Sequence, residues 1–231
     1  MYSSKRFFGI ARLLVLSLAA HFCLGQGTLP DTLSAKPFRR DASIGLDVFK
    51  NIPPLLLGKR YYLQEAFIVE AITRHRTHRG HYAQFLVGYT QGAILERLNH
   101  IARQELHGWY LKGGTEWDIT GQRGYGYFGV AGVVASVTNR GTYHFPGRTF
   151  GDYVADYDER NNLGFGAELS LTRNFYLSDR WLLRWVFRGT LVFRMAGDVQ
   201  PYYYPGVGYA PNQYNSILSG GSTLQLHYRL R

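Results

Sequence analysis

The stretch Trp181-Leu-Leu-Arg-Trp-Val-Phe-Arg-Gly-Thr-Leu-Val-Phe-Arg194 decides the fold. Trp181, Leu183, Trp185, Phe187, Leu191 and Phe193 take every second position, and Arg184, Arg188 and Arg194 fall between them. Side chains of a strand alternate between two faces, so a period of two marks a β-strand with one apolar and one charged face.

The same period recurs from about residue 40 to the end, and eight strands are expected. The first, about 40–50, sets Ile44, Leu46 and Val48 against Ser43, Gly45 and Asp47. The second, about 60–73, groups Leu63, Phe67 and Val69, but Glu65 shares their face and a helix is an alternative there. The third, about 81–92, sets Phe85, Val87 and Tyr89 against Gln84, Gly88 and Thr90. In the fourth, about 108–119, Trp109, Leu111 and Trp117 oppose Lys112, Glu116 and Asp118. The fifth, about 125–138, has Val133, Ala135 and Val137 on one face and Val130 and Val134 on the other, which leaves its sidedness open. The sixth, about 162–174, sets Leu163, Phe165, Leu169 and Leu171 against Gly164, Gly166, Glu168 and Thr172. The seventh is the stretch quoted above, taken as about 180–195. The eighth, about 217–230, sets Leu218, Leu224, Leu226, Tyr228 and Leu230 against Ser219, Thr223, Gln225, His227 and Arg229.

Connections after the even-numbered strands are short (74–80, 120–124 and 177–179). Those after the odd-numbered strands are long (about 51–59, 93–107, 139–161 and 196–216). Short turns at one end and long loops at the other are the pattern of an outer-membrane barrel.

Residues 1–25 read as a secretory signal peptide. Lys5, Arg6 and Arg12 precede an apolar run, and Cys23-Leu-Gly25 offers small residues for cleavage before Gln26. Residues 26–37 read as a short periplasmic tail and 38–231 as the barrel. The only cysteine leaves with the signal, so no disulfide or cysteine–metal site is expected. Without the three cations of that segment the formal charge falls from +10 to +7. Export argues against nucleic acid as the counter-charge; anionic lipid or lipopolysaccharide is the natural one. No apolar run reaches the 18 residues a spanning helix needs, whereas a tilted strand crosses with about 9–11.

Backbone groups in hydrocarbon must be bonded within the protein, so strands cross only as a closed barrel. A soluble sandwich would show the same alternation. Aromatic residues at strand ends (Trp109, Trp117, Trp181, Tyr228), mixed charges on the opposite faces and unequal loops favour the membrane. The expected fold is all-β: a closed antiparallel up-and-down transmembrane barrel of eight strands. Such a barrel is just wide enough for side chains to fill. Lys112, Glu116, Asp118, Glu168, Arg184, Arg188, Gln225, His227 and Arg229 would then form an inward charge network that plugs the lumen.

The chain resembles the small outer-membrane β-barrels of Gram-negative bacteria, the OmpX type and the transmembrane part of OmpA. Within that group it is similar to small barrels of Bacteroidota. The likeness is carried by Cys23-Leu-Gly-Gln26, Trp109-Tyr-Leu-Lys-Gly-Gly-Thr-Glu-Trp117, Asn161-Asn-Leu-Gly-Phe-Gly-Ala-Glu-Leu169 and the final Tyr228-Arg-Leu-Arg231. Many such barrels end on an aromatic residue, and this chain ends on Leu230-Arg231.

Four stretches of the chain are candidate sites. His75, His78 and His81 could bind metal, but a turn does not gather them on one side and no carboxylate lies between them; a solvated basic turn is expected. Residues 94–106 carry apolar residues at helical spacing, which predicts a short amphipathic helix in a loop, a cap on the barrel mouth or continued strand. Tyr143, Phe145, Phe150, Tyr153 and Tyr157 in the third long loop, with Tyr202, Tyr203, Tyr204 and Tyr209 in the fourth, read as a partner-binding rim or as loops packing on each other. For catalysis the nearest set is His144 with Ser136 and Asp152, and nothing in the sequence holds the three together. The sequence therefore predicts a non-catalytic outer-membrane barrel with a structural or accessory role and no cofactor, in contact with outer-membrane lipid, lipopolysaccharide and other envelope proteins. A lipid A-modifying enzyme and a soluble periplasmic small-ligand binder are the alternatives.

Overall fold

The computed structural model describes residues 42–50, 63–77, 80–94, 100–121, 124–147, 151–199, 201–209 and 215–230. The expected signal peptide and tail lie outside them, as do His78, Phe150 and residues 51–62.

Eight strands close into an antiparallel barrel: β1 (Ala42–Asp47), β2 (Gln64–Arg76), β3 (Tyr82–Ile94), β4 (Ile101–Asp118), β5 (Gly126–Phe145), β6 (Tyr153–Tyr176), β7 (Trp181–Arg194) and β10 (Ser216–Leu230). β8 (Tyr203–Tyr204) and β9 (Gly208–Tyr209) form a separate small hairpin between β7 and β10. Each barrel strand pairs with its neighbours in the chain, and β1 closes the ring against β10.

The pairing fixes the tilt. Directly opposed residues run from Ser43 through Arg74, Gln84, Gly114, Ala131, Glu168 and Thr190 to Ser219. Ser43 itself pairs with Arg229, so one circuit of the barrel slips by ten residues along β10. A stagger of this size over eight strands tilts them by about 40° and leaves a bore that side chains fill.

The alternation expected on the strands sorts inside from outside. Ile44, Leu46, Phe67, Val69, Phe85, Val87, Trp109, Phe165, Leu169, Leu171, Trp181 and Phe193 are exposed, while Glu70, Arg74, Lys112, Glu116, Glu168 and Arg184 are buried. This is a soluble protein turned inside out. On β4 the outward apolar band runs from Trp109 to Trp117, and on β6 from Leu163 to Leu171. Each is nine residues, the length that a tilted strand needs to cross hydrocarbon. β5 resolves its ambiguity by register: Val133, Ala135 and Val137 are buried and point inward, opposite the inward Lys112, Tyr110 and Gly108 of β4.

Three β-bulges lie toward the long-connection end and account for the places where the alternation misleads. One sits between Gln64 and Phe67, so Leu63 turns inward and is buried, away from the exposed Phe67 and Val69 with which its spacing grouped it. A second sits between Ile101 and Arg103. It puts Ile101 and Leu106, an odd number of residues apart, on the inner face together. That mimics helical spacing. The helix expected over 94–106 is not formed by its described part: β3 continues to Ile94, His100 takes a left-handed φ of 70°, and β4 starts at Ile101. A third sits between Val137 and Asn139.

Two of the expected long loops are mostly strand. β5 continues to Phe145 and β6 starts at Tyr153, so most of 139–161 is a hairpin paired from Asn139–Glu159 to Phe145–Tyr153. β4, β5 and β6 thus rise past the apolar band as a three-stranded sheet. The reverse holds at β1. Its pairing with β10 stops at Asp47–Gln225, extended only by the Val48 N–H donating to the Leu224 carbonyl at 3.0 Å. Among the described residues, nothing pairs with the edge of β10 from Ser216 to Thr223 that faces β2.

Inside, side chains of very unequal size fit by complementarity across neighbouring strands. Gly88 of β3 faces Tyr110 of β4, and the tyrosine ring occupies the space a Cβ at 88 would need. Gly88→Leu should therefore displace Tyr110 and cost about 1–3 kcal/mol, as overpacking does. Gly113→Ala points outward, with Phe85 4.0 Å away, and should change stability by less than about 0.5 kcal/mol. Urea midpoints of the detergent-folded variants check both, and equal midpoints would refute the packing account.

Candidate functional site: the charged lumen and the raised sheet

Two charge clusters occupy part of the barrel interior. In the first, Glu70 of β2 accepts from Arg188 Nη2 at 2.9 Å, from Arg188 Nη1 at 3.3 Å and from Tyr110 Oη at 2.7 Å. Lys50, just past β1, also pairs with Glu70. Glu168 of β6 pairs with Lys112 of β4, lies 3.6 Å from Arg188 Nε and accepts from Thr190 Oγ1 at 2.9 Å. Asp47 accepts from Thr223 and lies 3.8 Å from Lys50. Three carboxylates thus meet three cations drawn from five strands or their ends.

The second cluster centres on Glu116. Arg184 Nη2 reaches its two oxygens at 2.6 and 2.7 Å, and Arg74 Nε donates at 2.7 Å. Arg184 Nε donates to Asn174 Oδ1 at 3.2 Å. The Arg74 guanidinium also lies 3.3 Å from the centre of the Tyr82 ring and 4.5 Å from that of Tyr127, a cation–π stack between two rings. Below these, His227 Nδ1 lies 3.1 Å from Ser43 Oγ and Nε2 lies 3.2 Å from Gln225 Oε1. Arg229 sits over the Tyr176 ring at 5.5 Å.

The lumen set read from the sequence divides accordingly. Lys112, Glu116, Glu168, Arg184 and Arg188 meet in the two clusters, and Gln225, His227 and Arg229 line the bore toward the short-turn end. Asp118 does something else. It accepts from Thr120 N at 2.8 Å, Thr120 Oγ1 at 2.7 Å and Gly124 N at 3.0 Å, so it closes the β4–β5 turn. Its position as the last residue of β4, with Thr120 and Gly121 following, carries that signal. Sequence reading missed Glu70, Arg74 and Lys50. Glu70 and Arg74 do alternate with outward Val69 and Thr73, but the bulge below them blurred the strand's faces.

The clusters do not extend through the whole barrel. Toward the long-connection end the interior is apolar, built from Leu63, Leu86, Leu106, Val137, Val192 and Ile217. The described residues 201–209 of the connection after β7 fold into this space. Gln104 Oε1 accepts from Tyr202 N at 2.9 Å, Tyr204 Oη donates to the Asn162 carbonyl at 2.8 Å, and Glu159 accepts from Val199 N at 2.6 Å. A Cβ on Gly206 would fall 2.5 Å from Tyr110, so the hairpin turn needs glycine both for that approach and for its φ of 73°. Tyr202 and Tyr204 are buried and Tyr203 and Tyr209 half-buried. These four form an internal plug, so of the two readings offered for them the structure shows packing and not a partner-facing rim.

The other described rim residues, Tyr143, Phe145, Tyr153 and Tyr157, stand on the raised sheet. Tyr143 and Tyr157 pack on its inner face with ring centres 4.9 Å apart, and burial pushes the Tyr157 hydroxyl up to about 12. Phe145 and Tyr153 are exposed at the tip, 6.2 Å apart, with His100 stacked on Phe145 at 4.8 Å. The outer face is charged in rows. Glu105, Arg140 and Asp158 are direct cross-strand neighbours, as are Arg103, Thr142 and Asp156. Asp158 accepts from Arg140 Nε at 3.0 Å and Arg160 Nη2 at 3.1 Å, and these bonds hold its carboxyl below the usual range.

His144 Nε2 lies 3.1 Å from Asp152 Oδ2 at the sheet tip. Ser136 does not join them: it is eight residues down β5, about 26 Å away at strand spacing. Of the three histidines, His75 is exposed on β2 and His81 meets the Trp117 ring edge-on at 5.8 Å. No group of three metal-binding side chains occurs among the described residues. A scan against protein-family models returns no match for this chain, and a search of the curated proteins returns none.

Among the described residues, Glu116 is the one counter-charge that pairs with both Arg74 and Arg184. Glu116→Gln should leave two buried guanidinium groups facing each other and cost about 3–5 kcal/mol. Asp118→Asn, at a turn, should cost about 1 kcal/mol or less. The urea midpoint and the temperature at which the compact gel band is lost check the ranking, and a reversed ranking would refute it.

Proposed function

We propose that this protein is a non-catalytic outer-membrane β-barrel that acts as an accessory subunit, with the raised β4–β5–β6 sheet as its docking platform. One observation carries the reading: the barrel buries its ion pairs and exposes its apolar side chains. In water that arrangement wastes the hydrophobic effect, whereas in a bilayer both faces are satisfied. The nine-residue band, with Trp109 and Trp117 at its two ends, matches hydrocarbon thickness. A signal peptide at 1–25 supplies the export route. Because the interior is filled by charge pairs and a tyrosine plug, conduction is not its task.

The docking role rests on what stands above the band. The sheet has an alternating charged face and an exposed aromatic tip, Phe145, Tyr153 and Val154. Fixed charges select a partner and set its register, and exposed aromatic rings supply contact area at little entropic cost. Tagged protein purified from membranes in mild detergent should bring down envelope proteins in stoichiometric amount. The paired change Phe145→Ser and Tyr153→Ser should reduce that recovery at least tenfold while leaving the heat-dependent gel shift of the barrel unchanged. Undiminished recovery with the double variant would remove the tip from the interface. Recovery of the barrel alone would end the accessory reading.

A further inference from the structure

The second charge cluster does not balance. Glu116 accepts from Arg74 Nε at 2.7 Å and from Arg184 Nη2 at 2.6 and 2.7 Å. One carboxylate thus serves two guanidinium groups, which leaves one positive charge uncompensated among the described residues. The first cluster has no such excess, with Asp47, Glu70 and Glu168 against Lys50, Lys112 and Arg188. Arg184 is 0% and Arg74 4% exposed, so bulk water does not carry the excess. A buried charge without a partner is costly.

The hydrogen bonds show the same deficit. Arg74 Nη2, Arg184 Nη1 and Gln225 Nε2 are buried and meet no acceptor among the described residues. All three belong to one circuit of inward side chains. Ser43 is directly opposite Arg74, and Gln225 is directly opposite Arg184. His227 joins Ser43 to Gln225, at 3.1 Å from Ser43 Oγ and 3.2 Å from Gln225 Oε1, and Glu116 joins the two arginines. The Tyr82 and Tyr127 rings stack on the Arg74 guanidinium, but a stacked ring gives its in-plane N–H groups no acceptor. Turning the Gln225 amide over, or adding a water molecule, would supply an acceptor but no negative charge.

An anion supplies both. We propose that this circuit holds one small monovalent anion of halide size, which accepts from Arg74, Arg184 and Gln225. Phosphate fits worse, because it brings more than the single negative charge that is missing. The ion ties β2 to β7 and β10 beside Glu116, and its site is independent of the raised sheet and of any docking partner.

Bromide is the probe. The full chain, folded in detergent, is unfolded by urea in sodium gluconate and in sodium bromide at equal ionic strength. Bromide should raise the folding equilibrium constant about tenfold, and the rise should level off as the site fills. Gln225→Glu puts a carboxylate of the same shape beside the two guanidinium groups and should make the protein insensitive to bromide. An equal bromide effect in this variant would mark a general salt effect and overturn the proposal, as would no effect on the unaltered chain. Crystals of the unaltered chain grown in bromide give a second readout that does not need the variant to fold. An anomalous peak within hydrogen-bond reach of Arg74 Nη2 and Arg184 Nη1 is expected, and its absence would overturn the site.

Discussion

Every feature of this protein follows from carboxylates held between cations inside a closed ring of strands. Glu70, Glu116 and Glu168 are buried, and each meets guanidinium or ammonium groups from strands across the bore. A buried charge without a partner is costly, and a paired one in good geometry is tolerated at little net gain. The pairs therefore select one register more than they add stability. Slipping β7 by one residue would turn Arg184 and Arg188 into the apolar band and put Leu183 and Phe187 among the carboxylates.

The interior changes character along its length. Ion pairs fill the half near the short turns, while apolar residues and the β8–β9 hairpin fill the other. The change matches the chain outside. Where β4, β5 and β6 leave the band, their outward faces become charged and their inward faces carry Leu106, Val137 and Tyr143. Polarity inverts at that level, so the raised sheet has the ordinary arrangement of a protein in water, apolar side covered and polar side exposed. The plug hairpin supplies the cover.

The sequence by itself determined the number of strands and, for most of them, which face is which. The reason is local: a side chain's face depends only on its parity within a regular strand, so Arg184 and Arg188 opposite Trp185 and Phe187 were legible without any partner. Parity fails where a bulge adds a residue, which is why Leu63 was placed outside and Ile101 and Leu106 suggested a helix. Bulges depend on the neighbouring strand and leave no mark in composition. The tertiary structure alone decided which charge meets which, since Glu70 and Arg188 are 118 residues apart and are joined only by ring closure. It also decided that the tyrosines at 202–204 face inward, because loop and plug have the same polar, aromatic composition and differ only in the space available to receive them.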